Sequence, residues 1–99
     1  MPYIRIWRYQ VAPGREQDFR AAYGPAGDWA RLFRRADGYL GTELIQAAPD
    51  SRLYLTIDRW RAAADWDRFL AAHREPYQAL DRRLAPLCAQ DVEVASFEA

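Results

Sequence analysis

Lysine and asparagine are absent from this 99-residue chain, and cysteine, histidine and methionine each occur once. Without lysine, Schiff-base chemistry on a side-chain amine is excluded, and every one of the 14 basic residues is arginine. The single Cys88 cannot form an intrachain disulfide or a thiolate cluster, so it reads as a spectator thiol. One histidine with scattered carboxylates such as Asp65 and Asp67 has no metal-ligand spacing, and no metal is expected; those two aspartates read as charges at a helix start. Excess charge is missing too. Fourteen acidic residues balance the arginines to a net charge of zero, which leaves no basic field for nucleic acid or an anionic membrane. No apolar run reaches the length of a membrane span, and "MPYIRIWRYQV" lacks the basic start and apolar stretch of a secretory leader, so a cytoplasmic protein is expected. Gly24 with Gly27 and Gly38 with Gly41 are spaced in loops, without a strand-to-helix GxGxxG or a Walker lysine, and no cofactor is expected.

What the chain does have is bulk: 51% of its residues are hydrophobic and 14% aromatic, enough for one domain over 1–99 with one modest core. "YIRIWRYQV" (3–11) has the period and composition of a strand ended by Pro13 and Gly14. "REQDFRAAYG" (15–24) carries Phe19, Ala22 and Tyr23 at helical spacing and stops at Gly24–Pro25. Asp28 then caps a second short helix, "WARLFRRA", with Trp29, Leu32 and Phe33 on one side. "YLGTELIQA" and "RLYLTIDRW" flank Pro49-Asp50-Ser51, and proline at the second turn position makes them an antiparallel hairpin. From Ala62 the residues Trp66, Phe69, Leu70, His73, Tyr77, Leu80, Leu84 and Leu87 keep to one helical face, interrupted by a kink or a restart around Pro76. "DVEVASF" alternates as an edge strand.

This order predicts an α+β, ferredoxin-like sheet of four antiparallel strands with its helices on one face. Both faces carry apolar groups, however. Ile4 and Ile6 oppose Tyr3, Trp7, Tyr9 and Val11, while Leu53, Leu55 and Ile57 oppose Tyr54, Thr56 and Trp60. With no spare element to cover the second face, a homodimer joined through the sheets is the economical solution. Arg5, Arg8, Glu43, Asp58 and Arg59, the charged residues of these strands, are expected to pair with one another or lie at the rim.

The passages "VAPGREQDF", "GYLGTEL" and "YLTIDRW" leading into "DRFLAAHREPY" resemble, in order and spacing, the antibiotic biosynthesis monooxygenase (ABM) superfamily of dimeric α+β barrels. The segment 23–44 resembles the members with an extended "YGPxGDWxxLFRRxxGYLGTEL" pattern. The resemblance implies a homodimer and, for some members, oxidation of phenolic or quinol-like rings by oxygen without metal or flavin; other members are isomerases or have no known activity. Haem-degrading relatives use an Asn on the first strand, and here Trp7 stands at about that place in a chain with no Asn, which argues against that activity.

In cofactor-free chemistry the protein removes a phenolic proton, holds the anion in a dry aromatic cavity and stabilises developing oxygen charge. His73, the one imidazole, is the candidate base, with Tyr77 on the same helical face as a second catalytic candidate. Trp7, Trp29, Phe33, Trp60, Trp66 and Phe69 are candidate substrate-binding residues, with Trp29 and Phe33 on an inserted helix placed as a lid. The competing reading is a non-enzymatic binding or structural dimer in which His73 is a core residue and the aromatics fill the interior. An open cavity of roughly 300 Å³ bordered by His73, Trp29 and Tyr77 would separate the two.

Overall fold

A computed structural model describes residues 1–98. The elements follow the sequence pattern closely: β1 (Tyr3–Val11), α1 (Glu16–Tyr23), α2 (Asp28–Phe33), β2 (Tyr39–Gln46), β3 (Leu53–Trp60), α3 (Ala63–Ala72), α4 (Arg74–Leu84), a 3₁₀ turn at Ala85–Leu87 and β4 (Cys88–Glu98). The sheet order is β2-β3-β1-β4 with every neighbouring pair antiparallel, the ferredoxin-like α+β arrangement. Among the described residues no helix is long and apolar enough to cross a membrane.

Strand alternation decides what the helices meet. The register pairs Tyr3 with Trp60, Arg5 with Asp58, Trp7 with Thr56 and Tyr9 with Tyr54, so these eight residues share one face. That face is the helix-covered one: Tyr9, Val11, Tyr54 and Trp60 are buried there against Phe19, Tyr23, Phe33, Trp66 and Phe69. The opposite face holds Ile4, Ile6, Leu53, Leu55 and Ile57, all half-buried, beside exposed Ile45, Val92 and Phe97.

The β2–β3 hairpin closes as its turn chemistry requires. Ser51 N–H donates to Ala48 O at 3.0 Å, with Pro49 in the second turn position and Asp50 left-handed at φ 65°, a conformation that Asp tolerates better than most residues. The long last helix is two helices. His73 takes φ −126°, ψ 31° between α3 and α4, and Pro76 falls in the first turn of α4, where its missing N–H costs nothing.

Two details of the inserted helix α2 differ from the pattern's reading. Gly27, not Asp28, is its N-cap, and no side chain caps it; the Asp28 carboxylate instead accepts from Arg31 Nη2 at 3.1 Å and from Arg83 Nη2 of α4 at 2.9 Å. Gly27 is needed because α2 starts directly against the end of α1: a methyl there would lie 2.4 Å from Ala22 O and 2.5 Å from Ala21 O. Gly27→Ala is therefore expected to destabilise the fold by about 2 kcal/mol, read by thermal melting as a fall of roughly 10 °C. A variant melting with the wild type would mean that α2 shifts freely off α1.

Asp65 also does more than mark a helix start. It is 2% exposed, receives Arg61 Nη2 at 2.8 Å and Arg61 Nε at 3.2 Å, and is further bonded by Arg68. Hydrogen bonds from Arg61 hold its carboxyl below the usual range. The guanidiniums covering it are themselves exposed.

Candidate active site

Between the aromatic face of the sheet and the roof formed by α1, α2, α3 and α4 lies a cavity of about 90 Å³. Its floor consists of Arg5, Trp7 and Tyr9 from β1, Thr42 from β2 and Thr56 and Asp58 from β3; Tyr23, Trp29, Phe33, Trp66 and Tyr77 close it from the helices, and Asp81 and Asp91 also border it. The larger depressions, beside the hairpin turn and between α2 and α4, are open and lined largely by charged side chains.

The roof is aromatic because the helix-face periods of α1, α2, α3 and α4 all aim rings inward. Trp29 meets Tyr77 at 5.1 Å between ring centroids, Phe33 at 5.8 Å and Tyr23 at 6.3 Å. Four of the aromatics expected to bind substrate, Trp7, Trp29, Phe33 and Trp66, line the cavity, as does Tyr77. Trp60 and Phe69 stand one layer behind it. Trp60 is fully buried against Phe33, Tyr39, Trp66 and Phe69.

His73 is not on the cavity wall. The restart at Pro76 makes it the junction of α3 and α4, so it leaves the helical phase that runs inward from Trp66 to Tyr77 in the sequence. It is half-buried, with its ring 5.2 Å from Phe69. Tyr77 does face the cavity, and burial raises its pKa; near neutrality its hydroxyl remains protonated and can donate but not act as a base.

The buried carboxylate of the cavity floor is Asp58. Only 8% exposed, it accepts a hydrogen bond from Thr42 Oγ1 at 2.6 Å. The Tyr39 hydroxyl lies 2.5 Å from the same Oγ1. Thr42 has one proton, committed to the carboxylate, so Tyr39 donates to Thr42 and the chain of hydroxyls points at Asp58. Burial pushes the Asp58 carboxyl up to about 6, against smaller downward effects of the Thr42 hydrogen bond and the Arg5 charge. This is the range in which a carboxylate accepts and releases a proton near neutral pH.

Arg5 contributes the fixed positive charge. Its guanidinium sits 4.2 Å from the Trp66 ring centroid and donates to Glu93 Oε2 at 2.8 Å and Tyr3 Oη at 3.2 Å. Of the charged strand residues, Arg59 pairs with Glu43 at 3.0 Å and Arg8 is exposed, as expected. Asp58 is neither at the rim nor in an ion pair among the described residues.

The profile for antibiotic biosynthesis monooxygenase matches residues 2–79. No curated protein matches in sequence. Among solved structures, SnoaB from Streptomyces nogalater, a cofactor-independent oxygenase, aligns with a TM-score of 0.76 at 19% identity, over 99% of this chain and 92% of its own. PA3566 from Pseudomonas aeruginosa aligns at 0.69 and 22% identity over 99% and 93%, and Rv0793 from Mycobacterium tuberculosis at 0.68 and 18% over 100% and 98%. These likenesses are of fold, and together with a profile match over most of the chain they place this protein in the antibiotic biosynthesis monooxygenase family.

Proposed function

We propose that this protein is a monooxygenase that oxidises a small phenolic or quinol-like ring with molecular oxygen, the substrate supplying the electrons, and that Asp58 is its base. One observation carries the reading: a nearly buried carboxylate that makes no ion pair among the described residues, with Arg5 beside it turned to Glu93, is kept in the wall of an aromatic cavity at a cost in stability that a space-filling interior has no reason to bear. The Asp58 carboxylate takes the phenolic proton. The electron-rich ring passes one electron to O₂, and the resulting pair joins to form a C–O bond and a peroxide. Loss of the remaining ring hydrogen as a proton, with cleavage of the O–O bond, leaves a quinone and releases water. Overall, a phenol with an open para position and O₂ give a quinone and H₂O. Arg5, beside Asp58 on the floor, favours the phenolate electrostatically.

The alternative, a non-enzymatic binding or structural dimer, draws support from the cavity's size. About 90 Å³ is well below the roughly 300 Å³ common for ligand pockets, and below the roughly 150 Å³ apolar cavity known to admit benzene. A substrate larger than one ring therefore requires α2 to lift, or projects through the mouth. Oxygen uptake by the purified protein, offered 1-naphthols and anthrones, whose position para to the oxygen is open, separates the two readings. Protein-dependent uptake supports the oxygenase; none with any compound favours the structural dimer. His73→Ala is expected to retain activity within about threefold, since the imidazole lies off the wall. A loss of about tenfold or more there would return the base to His73.

A further inference from the structure

Strand β4 departs from the even alternation of "DVEVASF". Arg5 pairs with Ser96 and Ile6 with Ala95, but Trp7 pairs with Glu93, so Val94 is an extra residue, a bulge in β4. In an unbroken strand Val92 and Val94 would share the cavity face with Ser96, and Glu93 would point the other way. The bulge reverses this. Glu93, paired with Trp7, and Asp91, paired with Tyr9, come to the cavity face, while Val94 is left 54% exposed.

Glu93 uses its place to take Arg5. The guanidinium donates to Glu93 Oε2 at 2.8 Å and to Tyr3 Oη at 3.2 Å, with the Trp66 ring centroid 4.2 Å away. Arg5 also stands directly across the register from Asp58, where opposite charges on neighbouring strands ordinarily pair. They do not pair here: among the described residues Asp58 makes no ion pair, and its hydrogen bond comes from Thr42. An ion pair with Arg5 would hold Asp58 ionised and make it a poor proton acceptor. The other titratable groups around the carboxylate are Tyr9 of β1, Tyr39 of β2 and Tyr77 of α4, with Tyr23, Asp81 and Asp91 elsewhere on the cavity border. Burial raises all four tyrosines above their ordinary value, so they stay neutral, and Arg5 is the cation of the lining.

We infer that Glu93 is a positioning residue: delivered to the cavity face by the bulge at Val94, it draws Arg5 aside and keeps Asp58 unpaired, the state in which that carboxylate can accept a proton. This rests on the assignment of Asp58 as the base, but Glu93 acts on the resting protein, before substrate or oxygen enters. With its carboxylate 45% exposed, the bridge adds little to the stability of the fold; what it decides is which carboxylate the guanidinium faces.

Carbon-13 NMR of protein labelled at the aspartate carboxyls tests this, the Asp58 signal being assigned by its loss in Asp58→Asn. In the wild type it is expected to titrate near 6. In Glu93→Gln, at an exposed site, Arg5 turns to Asp58 and the midpoint should fall by at least about one pH unit. In the Arg5→Gln, Glu93→Gln double variant no guanidinium remains, and the midpoint should return to the wild-type value or above it. That return separates positioning from simple loosening, which would solvate Asp58 and lower its midpoint in both variants. As a second measurement, the loss of stability between about pH 4 and pH 6 should shrink in Glu93→Gln. An unchanged midpoint in Glu93→Gln, a midpoint equally low in the double variant, or a wild-type Asp58 that titrates as an ordinary aspartate overturns the inference. In oxygen uptake, the rise with pH should move down with the midpoint in Glu93→Gln and the plateau fall by about threefold or more, because the base is weaker. The expected titrations without any oxygen uptake would instead overturn the oxygenase reading and leave the placement of Arg5 by Glu93 standing.

Discussion

Asp58→Asn is expected to lower oxygen uptake by about a hundredfold or more and at the same time to make the protein more stable above pH 6. The first effect follows from removing the one carboxylate of the cavity floor, because the amide cannot take a proton from a phenol. It can still accept the Thr42 hydrogen bond through Oδ1, so the geometry of β2 against β3 survives. Activity retained within about threefold would show that another group takes the proton. In the wild type, turnover should climb with pH through about 6 as Asp58 ionises, and then level off.

The stability effect follows from linkage. Asp58 titrates near 6 in the folded protein against 3.8 for an ordinary aspartate. Below the lower value both states hold the proton and the site is neutral to stability. As pH rises between the two, the unfolded chain releases its proton first, so folding becomes progressively less favourable. Above the folded value the penalty is constant at about 3 kcal/mol. Wild-type stability should therefore fall between about pH 4 and pH 6, and the Asn variant should lack that part of the slope and melt roughly 10 °C higher at pH 8. Parallel pH–stability curves for the two proteins would mean that the carboxylate is solvated and its pKa ordinary. A residue that costs stability while conferring activity is what a functional carboxylate in an apolar wall predicts.

Much of this architecture is written in local periodicities. Tyr3, Trp7, Tyr9 and Val11 alternate with Ile4 and Ile6, and that period of two assigned both faces of β1. The proline turn fixed the hairpin, and helix spacing placed Phe19, Trp29 and Phe33 inward. The site is less legible because it depends on registers between distant segments. Asp58 follows Tyr54 and Thr56 on the buried face, a signal present in "YLTIDRW". Yet a carboxylate there looks expensive until the β2–β3 register brings Thr42 beside it. Arg5 likewise alternates inward with Tyr3 and Trp7, and its partners Trp66 and Glu93 lie about 60 and 90 residues further along the chain. The placement of His73 is hard to read for the converse reason. Its spacing from Trp66 and Tyr77 is helical, but the phase is broken at His73 itself, and a side chain at a break does not inherit the direction of either helix.

Ile57→Arg is expected to dissociate a homodimer and to lower stability substantially. Ile57 lies on β3, an inner strand, on the face away from the helices. Around it Ile4, Ile6, Leu53 and Leu55 are half-buried and Ile45, Val92 and Phe97 exposed, an apolar grouping of the kind that marks an interaction surface. The charged residues of this face include Arg59, which holds Glu43, and Arg8, exposed on β1 between Leu55 and Val92. A second copy meeting this face about a two-fold axis buries apolar groups against their own kind and needs no complementary charge. An arginine at position 57 would face its symmetry mate or an apolar neighbour, and the carboxylate across from it on β2, Glu43, is already held by Arg59. Light scattering should give a dimer for the wild type and a monomer for the variant. The wild-type melting temperature should rise with protein concentration, a dependence the variant loses. The cavity would feel the change as well, because β4 bears Val92 and Phe97 on the face away from the helices and carries Asp91 and Glu93 to the cavity side, where Glu93 holds Arg5. Loosening β4 releases the guanidinium from its place over Trp66, so the monomeric variant should also lose oxygen uptake. A wild type that is monomeric at all concentrations, with an unchanged melt, would show that this sheet face is stable in water by itself.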